Sequence, residues 1–108
     1  MVHMLSCFNL REKIEIEIFR NSLLLLEEHL KKKNLLESVS SISKRHRHPI
    51  MDTDKTDFQY FFIMRFKDLV QMEESVKYIS DETEPGLSLH QNVWKKIETY
   101  NFNCWEDL

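Results

Sequence analysis

A chain of 108 residues with 18 acidic and 15 basic side chains has a formal charge of −3, interspersed along its length, which excludes the basic face that nucleic acid requires. Apolar residues make up 42% of it, with seven Phe, three Tyr and two Trp, which excludes disorder and fits one domain over residues 1–108. The apolar runs Leu23 to Leu26 and Tyr60 to Met64 fall far short of the ~20 residues that cross a bilayer, so no membrane span is expected.

The first residues lack a secretory apolar region, and Cys7 and Cys104 cannot staple a secreted fold by themselves. A cytoplasmic protein with free thiols is expected. From His3 to Leu10, Leu5, Cys7 and Phe8 mix with small polar residues without Gly or Pro, and the segment reads as a strand. From Ile14 two periods overlap. Ile14, Ile16 and Ile18 alternate with Glu15 and Glu17, whereas Phe19, Leu23, Leu26 and Leu30 keep the four-three-four spacing of an amphipathic helix. Length decides for a helix from about Glu15 to Lys33. The lysines at 31, 32 and 33 suit the negative end of its dipole, and Asn34 serves as its stop.

Leu36, Ser38, Ser40 and Ile42 alternate weakly with Glu37, Val39, Ser41 and Ser43, as in a less buried strand near a sheet edge. Between Arg47 and Asp57 no period survives, and Pro49 with three Asp and two Thr predicts an exposed loop. Phe58, Tyr60, Phe62, Met64 and Phe66 then form one apolar row, and Phe61 and Ile63 between them are apolar as well. This pattern predicts a central strand covered on both faces.

Asp68, with Gln71 three residues on, has capping-box spacing, and Leu69, Met72, Val76 and Ile79 supply a buried stripe to a helix ending near Asp81. Pro85 suits the first position of a third, short helix, with Leu87, His90, Trp94 and Ile97 along one face. Tyr100, Phe102 and Cys104 alternate with Asn101, Asn103 and Trp105 in a last strand.

The order is strand, helix, strand, strand, helix, short helix, strand. It predicts an α+β, ferredoxin-like split βαβ fold: an antiparallel four-stranded sheet, helices on one face, and an extra helix before the last strand. A helix over 15–33 is about 28 Å long and a strand over 58–66 about 30 Å, so one can lie along the other. Phe61 and Ile63 on the uncovered face predict a homodimer, with a second subunit as the cover. The alternative is that the last strand and Trp105 fold over that face within the monomer.

Four stretches carry a resemblance: Leu5-Ser6-Cys7-Phe8-Asn9-Leu10, Met51-Asp52-Thr53-Asp54, Tyr60-Phe61-Phe62-Ile63-Met64 and Cys104-Trp105-Glu106-Asp107. They are similar to a small group of uncharacterised bacterial proteins, and the layout resembles the dimeric α+β barrel superfamily. That superfamily includes stress-responsive A/B barrel proteins and small cofactor-free monooxygenases and cyclases. The resemblance implies two ferredoxin-like subunits meeting sheet to sheet, with a ligand cavity between each sheet and its own helices in several relatives. It carries no catalytic residue onto this chain, and function has to be argued from the site.

His90 shares a stripe with apolar residues and so points toward the sheet, either as a satisfied core histidine or as a pocket group that binds or moves a proton. His46 and His48, with Asp52 and Asp54 nearby, have spacing that a metal could use. The adjoining Lys44, Arg45 and Arg47 oppose a cation, so no metal is expected and a carboxylate head group is the better guest. The run Asp52 to Asp57 lacks the Gly and Glu of a calcium loop. A single glycine, Gly86, leaves no phosphate-cradling loop, so no nucleotide cofactor is expected. The cysteines lack a nucleophile signature.

The function expected is a homodimer that binds an elongated apolar, fatty-acid-like molecule between sheet and helices. His90, Trp94, Tyr60, Phe62, Met64, Phe19 and Leu23 line that pocket, and Arg45 and His46 stand near the polar head. The alternatives are a cofactor-free enzyme using His90 as acid or base with Tyr60 as partner, and a dimeric scaffold without a ligand.

Overall fold

Alternating inward residues in the first ten positions place β1 (Val2–Leu10) in the interior of the sheet, where it pairs antiparallel with both β4 (Tyr60–Phe66) and β5 (Ile97–Glu106). A computed structural model describes all residues, 1–108. The remaining elements are α1 (Ile16–Lys32), β2 (Ser38–Val39), β3 (Ser43–Lys44), α2 (Leu69–Ser80) and α3 (Gly86–Trp94). The sheet runs β2-β4-β1-β5, with β3 also paired to β4. This is the expected split βαβ order, with the second strand broken in two.

The break has a local cause. Ser40 stands between the two short ladders, its amide donating to the Ile63 carbonyl at 2.8 Å and its hydroxyl accepting from the Ile63 amide at 2.8 Å. A side chain thus replaces a backbone partner and interrupts the ladder, as serine readily does.

The stop of α1 is a Schellman motif. Asn34 has φ 58°, its amide donates to the Lys31 carbonyl at 2.9 Å, and the Leu35 amide reaches back to the Leu30 carbonyl at 2.9 Å. Asn is among the residues that tolerate this left-handed position. Phe19, Leu23, Leu26 and Leu30 are buried as their spacing requires, against Val2, Phe8, Phe62, Met64 and Phe66 on the facing side of the sheet.

At α2 the cap forms as read: the Asp68 carboxylate accepts from the Gln71 amide at 2.9 Å. The buried stripe differs from the expected one. Gln71 and Ser75 are buried, while Leu69 and Val76 are about half exposed. Polar bonding turns the helix this way, because Gln71 Nε2 donates to the Asn34 carbonyl and to Glu37 Oε1, both at 3.1 Å, and its Oε1 accepts from the Lys67 amide at 2.6 Å. The Ser75 hydroxyl donates to the Leu35 carbonyl. These bonds tie α2 to the turn after α1. Gln71→Ala is therefore expected to cost about 1–3 kcal/mol, the penalty for buried groups left unpaired, measured as a lower midpoint in urea unfolding.

In α3 the buried members are Gly86 and Val93, and Ile97 opens β5 in place of continuing the helix. Pro85 occupies the cap position just before the helix. Gly86 lies close under the Tyr78 ring, where a Cβ would come within 2.5 Å of it and oblige the ring to shift. No helix is long and apolar enough to cross a membrane.

All three helices lie on one face of the sheet. On the other face, register places Phe61, Cys7 and Asn101 in one row, Ile63, Leu5 and Asn103 in the next, and Arg65, His3 and Trp105 in a third. Trp105 stays in the sheet, stacked on His3 with ring centroids 5.1 Å apart. The last strand therefore does not fold over this face, because its whole length is held in the ladder with β1.

Candidate functional site

Where the sheet, α1 and α3 meet, the side chains leave a cavity of about 90 Å³. Met4 and Ser6 of β1, Phe62 and Met64 of β4, and Ile97 and Phe102 of β5 form its sheet side. Leu23 and Leu26 of α1, Ile79 of α2, and His90, Val93 and Trp94 of α3 close it from the helices. Ten of its twelve lining residues are hydrophobic, so Ser6 and His90 bring the only polar side chains.

His90 reaches this wall because it lies one turn before Val93 and Trp94 on α3. Its ring stacks on Trp94 at 6.3 Å between centroids and 15° between planes. Burial holds its pKa below the ordinary 6.5, with no charged or hydrogen-bonding neighbour contributing. An imidazole so placed is neutral at physiological pH, offering one donor and one acceptor nitrogen to a guest.

The depressed pKa has a measurable consequence. The unfolded chain takes up the proton first, so stability is complete above about pH 6.5 and falls as pH drops through that value toward the folded-state pKa. In unfolding curves between pH 8 and 5, His90→Leu is expected to lose this share of the pH dependence.

The mouth of the cavity is aromatic. Trp94 lies 4.6 Å from Tyr100 and 6.1 Å from Phe102, and Tyr100 lies 5.2 Å from Phe102, all between ring centroids. Each of these three rings is more than a third exposed. Together they extend the apolar wall from the cavity out along the edge strand β5.

Of the side chains singled out from the sequence, His90, Trp94, Phe62, Met64 and Leu23 meet at this cavity. Phe19 and Tyr60 do not. Both pack on Phe8, at 4.6 and 5.8 Å, Phe19 within the buried core and Tyr60 partly buried at its edge. Arg45 and His46 lie on the opposite face of the sheet, at a separate groove. They sit there because β3 ends at Lys44 and the following loop crosses behind the strands, so neither can meet a head group entering by His90. Tyr60, which does not line this cavity, is not an acid–base partner of His90 across it.

About 90 Å³ is smaller than the ~150 Å³ of an engineered cavity that takes up benzene, so an acyl chain or an aromatic ring enters it only in part unless the walls move. Sequence reading missed Met4, Ser6 and Val93 as wall residues. The alternation of β1 with the buried Val2 and Phe8, and the three-residue step from His90 to Val93, are the signals that place them.

No family model matches this chain, and no curated protein matches its sequence. Solved structures do match. A protein of Arabidopsis thaliana superposes with a TM-score of 0.75 over 100% of this chain and 96% of its own, at 6% identity. A mutant of SnoaB, a cofactor-independent oxygenase from Streptomyces nogalater, gives 0.67 over 98% and 91%, at 10% identity. A dimeric protein of unknown function and ferredoxin-like fold from Bacteroides fragilis gives 0.57 over 98% and 95%, at 17% identity. This chain has the ferredoxin-like α+β fold. At such identities the likeness extends to the ferredoxin-like framework alone, and the chemistry rests on the residues described above.

Proposed function

We propose that the protein is a homodimer acting in the cytoplasm, each subunit of which binds one flat, uncharged aromatic small molecule at the inner cavity. The observation that carries this is the continuity between the apolar pocket and the exposed rings of Trp94, Tyr100 and Phe102. One edge of the guest enters the pocket and dilates it by moving Met4 and Met64, whose flexible side chains adapt to such filling. The rest of its surface stacks on the rings outside, where each aromatic pair adds about 0.5–1.5 kcal/mol beyond simple burial. A hydroxyl or carbonyl on the guest pairs with the neutral His90, which fixes its orientation.

Titration with 2-naphthol, followed by calorimetry and by the indole resonance of Trp94, tests the reading. Micromolar binding is expected, weakened at least tenfold by Trp94→Ala. No shift of that resonance at 1 mM 2-naphthol would defeat it.

The homodimer draws support from the half-buried Phe61 and Ile63 on the helix-free face and from the dimeric Bacteroides fragilis neighbour. A second reading, cofactor-free catalysis on an aromatic substrate, is favoured by one observation: His90 is the one titratable side chain lining the cavity, and because burial makes it a weaker base, the ring hydroxyl that gives it a proton must itself be acidic. The likeness to a cofactor-independent oxygenase points the same way. A His90→Gln variant that turns over an identified substrate at the normal rate would remove that reading.

A further inference from the structure

The face of the sheet without helices carries a second and larger concavity, of about 430 Å³, built entirely by this one chain. Its floor is the row of Phe61, Cys7 and Asn101 together with Leu5 and Asn103 from the next row. Its wall is the segment from Arg45 to Phe58, which stands over the sheet and is held there by its own bonds. Arg45 Nη2 lies 2.6 Å from Asp54 Oδ1 and 3.5 Å from Asp52 Oδ1, and Arg47 Nη1 donates to the Asp54 carbonyl at 3.0 Å. At the far end Asn9 clamps the segment, donating to the Asp57 carbonyl at 3.2 Å and accepting from the Gln59 amide at 2.8 Å.

Three features define what such a groove accepts. Its one guanidinium is already neutralised by two carboxylates, so it offers little to an anion. Leu5, Phe58 and Phe61 give an apolar bed for a flat ring. Asn101 and Asn103 project from the same face of β5, about 6.8 Å apart by the strand rise, and each carboxamide presents a donor beside an acceptor. Paired donor and acceptor edges are what nitrogen heterocycles display, and a carboxamide reads such an edge with two bonds. Base stacking on aromatic side chains supplies the remaining affinity.

We infer that this groove binds an uncharged, flat nitrogen heterocycle of the nucleobase type, its ring laid along Phe61 and its edge read by Asn101 and Asn103. The site is distinct from the inner cavity, since the sheet separates the two. It goes beyond the function proposed above and does not rest on it: Leu5 and Phe61 form the floor within one chain, so a ligand here competes with a partner seated on the same rows.

Calorimetric titration of the purified protein with adenine tests the inference, with sedimentation equilibrium on the same samples reporting the dimer. Binding is expected, weakened tenfold or more by Asn101→Asp and by Asn103→Asp, each of which replaces the donor by a second acceptor at nearly constant shape. Adenine bound with the same dependence by a monomeric protein upholds the groove, as does adenine that shifts a dimer toward monomer. Absence of binding at 1 mM adenine, or binding indifferent to both substitutions, overturns the inference whether or not the protein is dimeric.

Discussion

Replacing Phe8 by alanine is expected to remove about 3–5 kcal/mol of folding free energy, the cost of emptying a large aromatic site in a packed core. Phe8 has no exposed surface, and its ring sits 4.6 Å from Phe19, 5.7 Å from Phe62 and 5.8 Å from Tyr60. It is the point at which β1, α1 and β4 lock together. Because those neighbours belong to a sheet and a helix that are both fixed elsewhere, the site can collapse only in part. A loss of this size lowers the melting temperature of a chain of this length by roughly 15–25 °C, read from a thermal scan by circular dichroism. Phe8→Leu, which keeps most of the volume, is expected to lose less than half as much.

The same cluster shows why sequence alone overstated the pocket. Phe19, Tyr60, Phe62, Met64 and Trp94 all read as inward-facing large residues, and inward is where the structure puts most of them. Periodicity reports which face of an element is buried, but not whether the volume behind it is filled. That depends on Phe8, contributed by a strand on the other side of the helix, and its ring occupies the space beside Phe19 and Tyr60. At the other end of the sheet the matching β1 positions are Ser6 and Met4, a small and a flexible side chain, and there the space stays open. The exchange of Phe8 for Ser6 two residues earlier separates core from cavity.

The strand and helix order was legible because long apolar periods dominate it, and so were the Asn34 stop and the Asp68 cap, which are local chemistry. The rotation of α2 was not. Of its apolar stripe, Met72 and Ile79 pack on the core as expected, but Leu69 and Val76 give way to Gln71 and Ser75, whose partners are carbonyls and a carboxylate more than thirty residues away. Long-range polar pairing leaves no period in a sequence. Arg45 and His46 were misplaced for a related reason: the break at Ser40 and the bonds of Arg45 to Asp52 and Asp54 set where that loop crosses the sheet.

On the helix-free face, Ile63→Glu is expected to convert a dimer into monomers. Ile63 is paired with Leu5 across β1, next to the row of Phe61 and Cys7, where the apolar side chains of that face lie together. It is half-buried within one chain, so the substitution leaves the fold intact while placing a carboxylate where the proposed partner rests. A two-fold contact repeats every substitution, so two charges are desolvated or opposed in one interface. Burying an unpaired charge costs far more than the few kcal/mol that a single contact contributes. The dimer dissociation constant should rise by a factor of at least about 100, equivalent to some 2.7 kcal/mol. Sedimentation equilibrium at micromolar protein reads this directly. Ile18→Glu on α1 is the matched control, since Ile18 is equally apolar and exposed on the helical side. If Ile18→Glu breaks the assembly and Ile63→Glu does not, subunits associate through their helices, and the sheet-to-sheet arrangement proposed above fails.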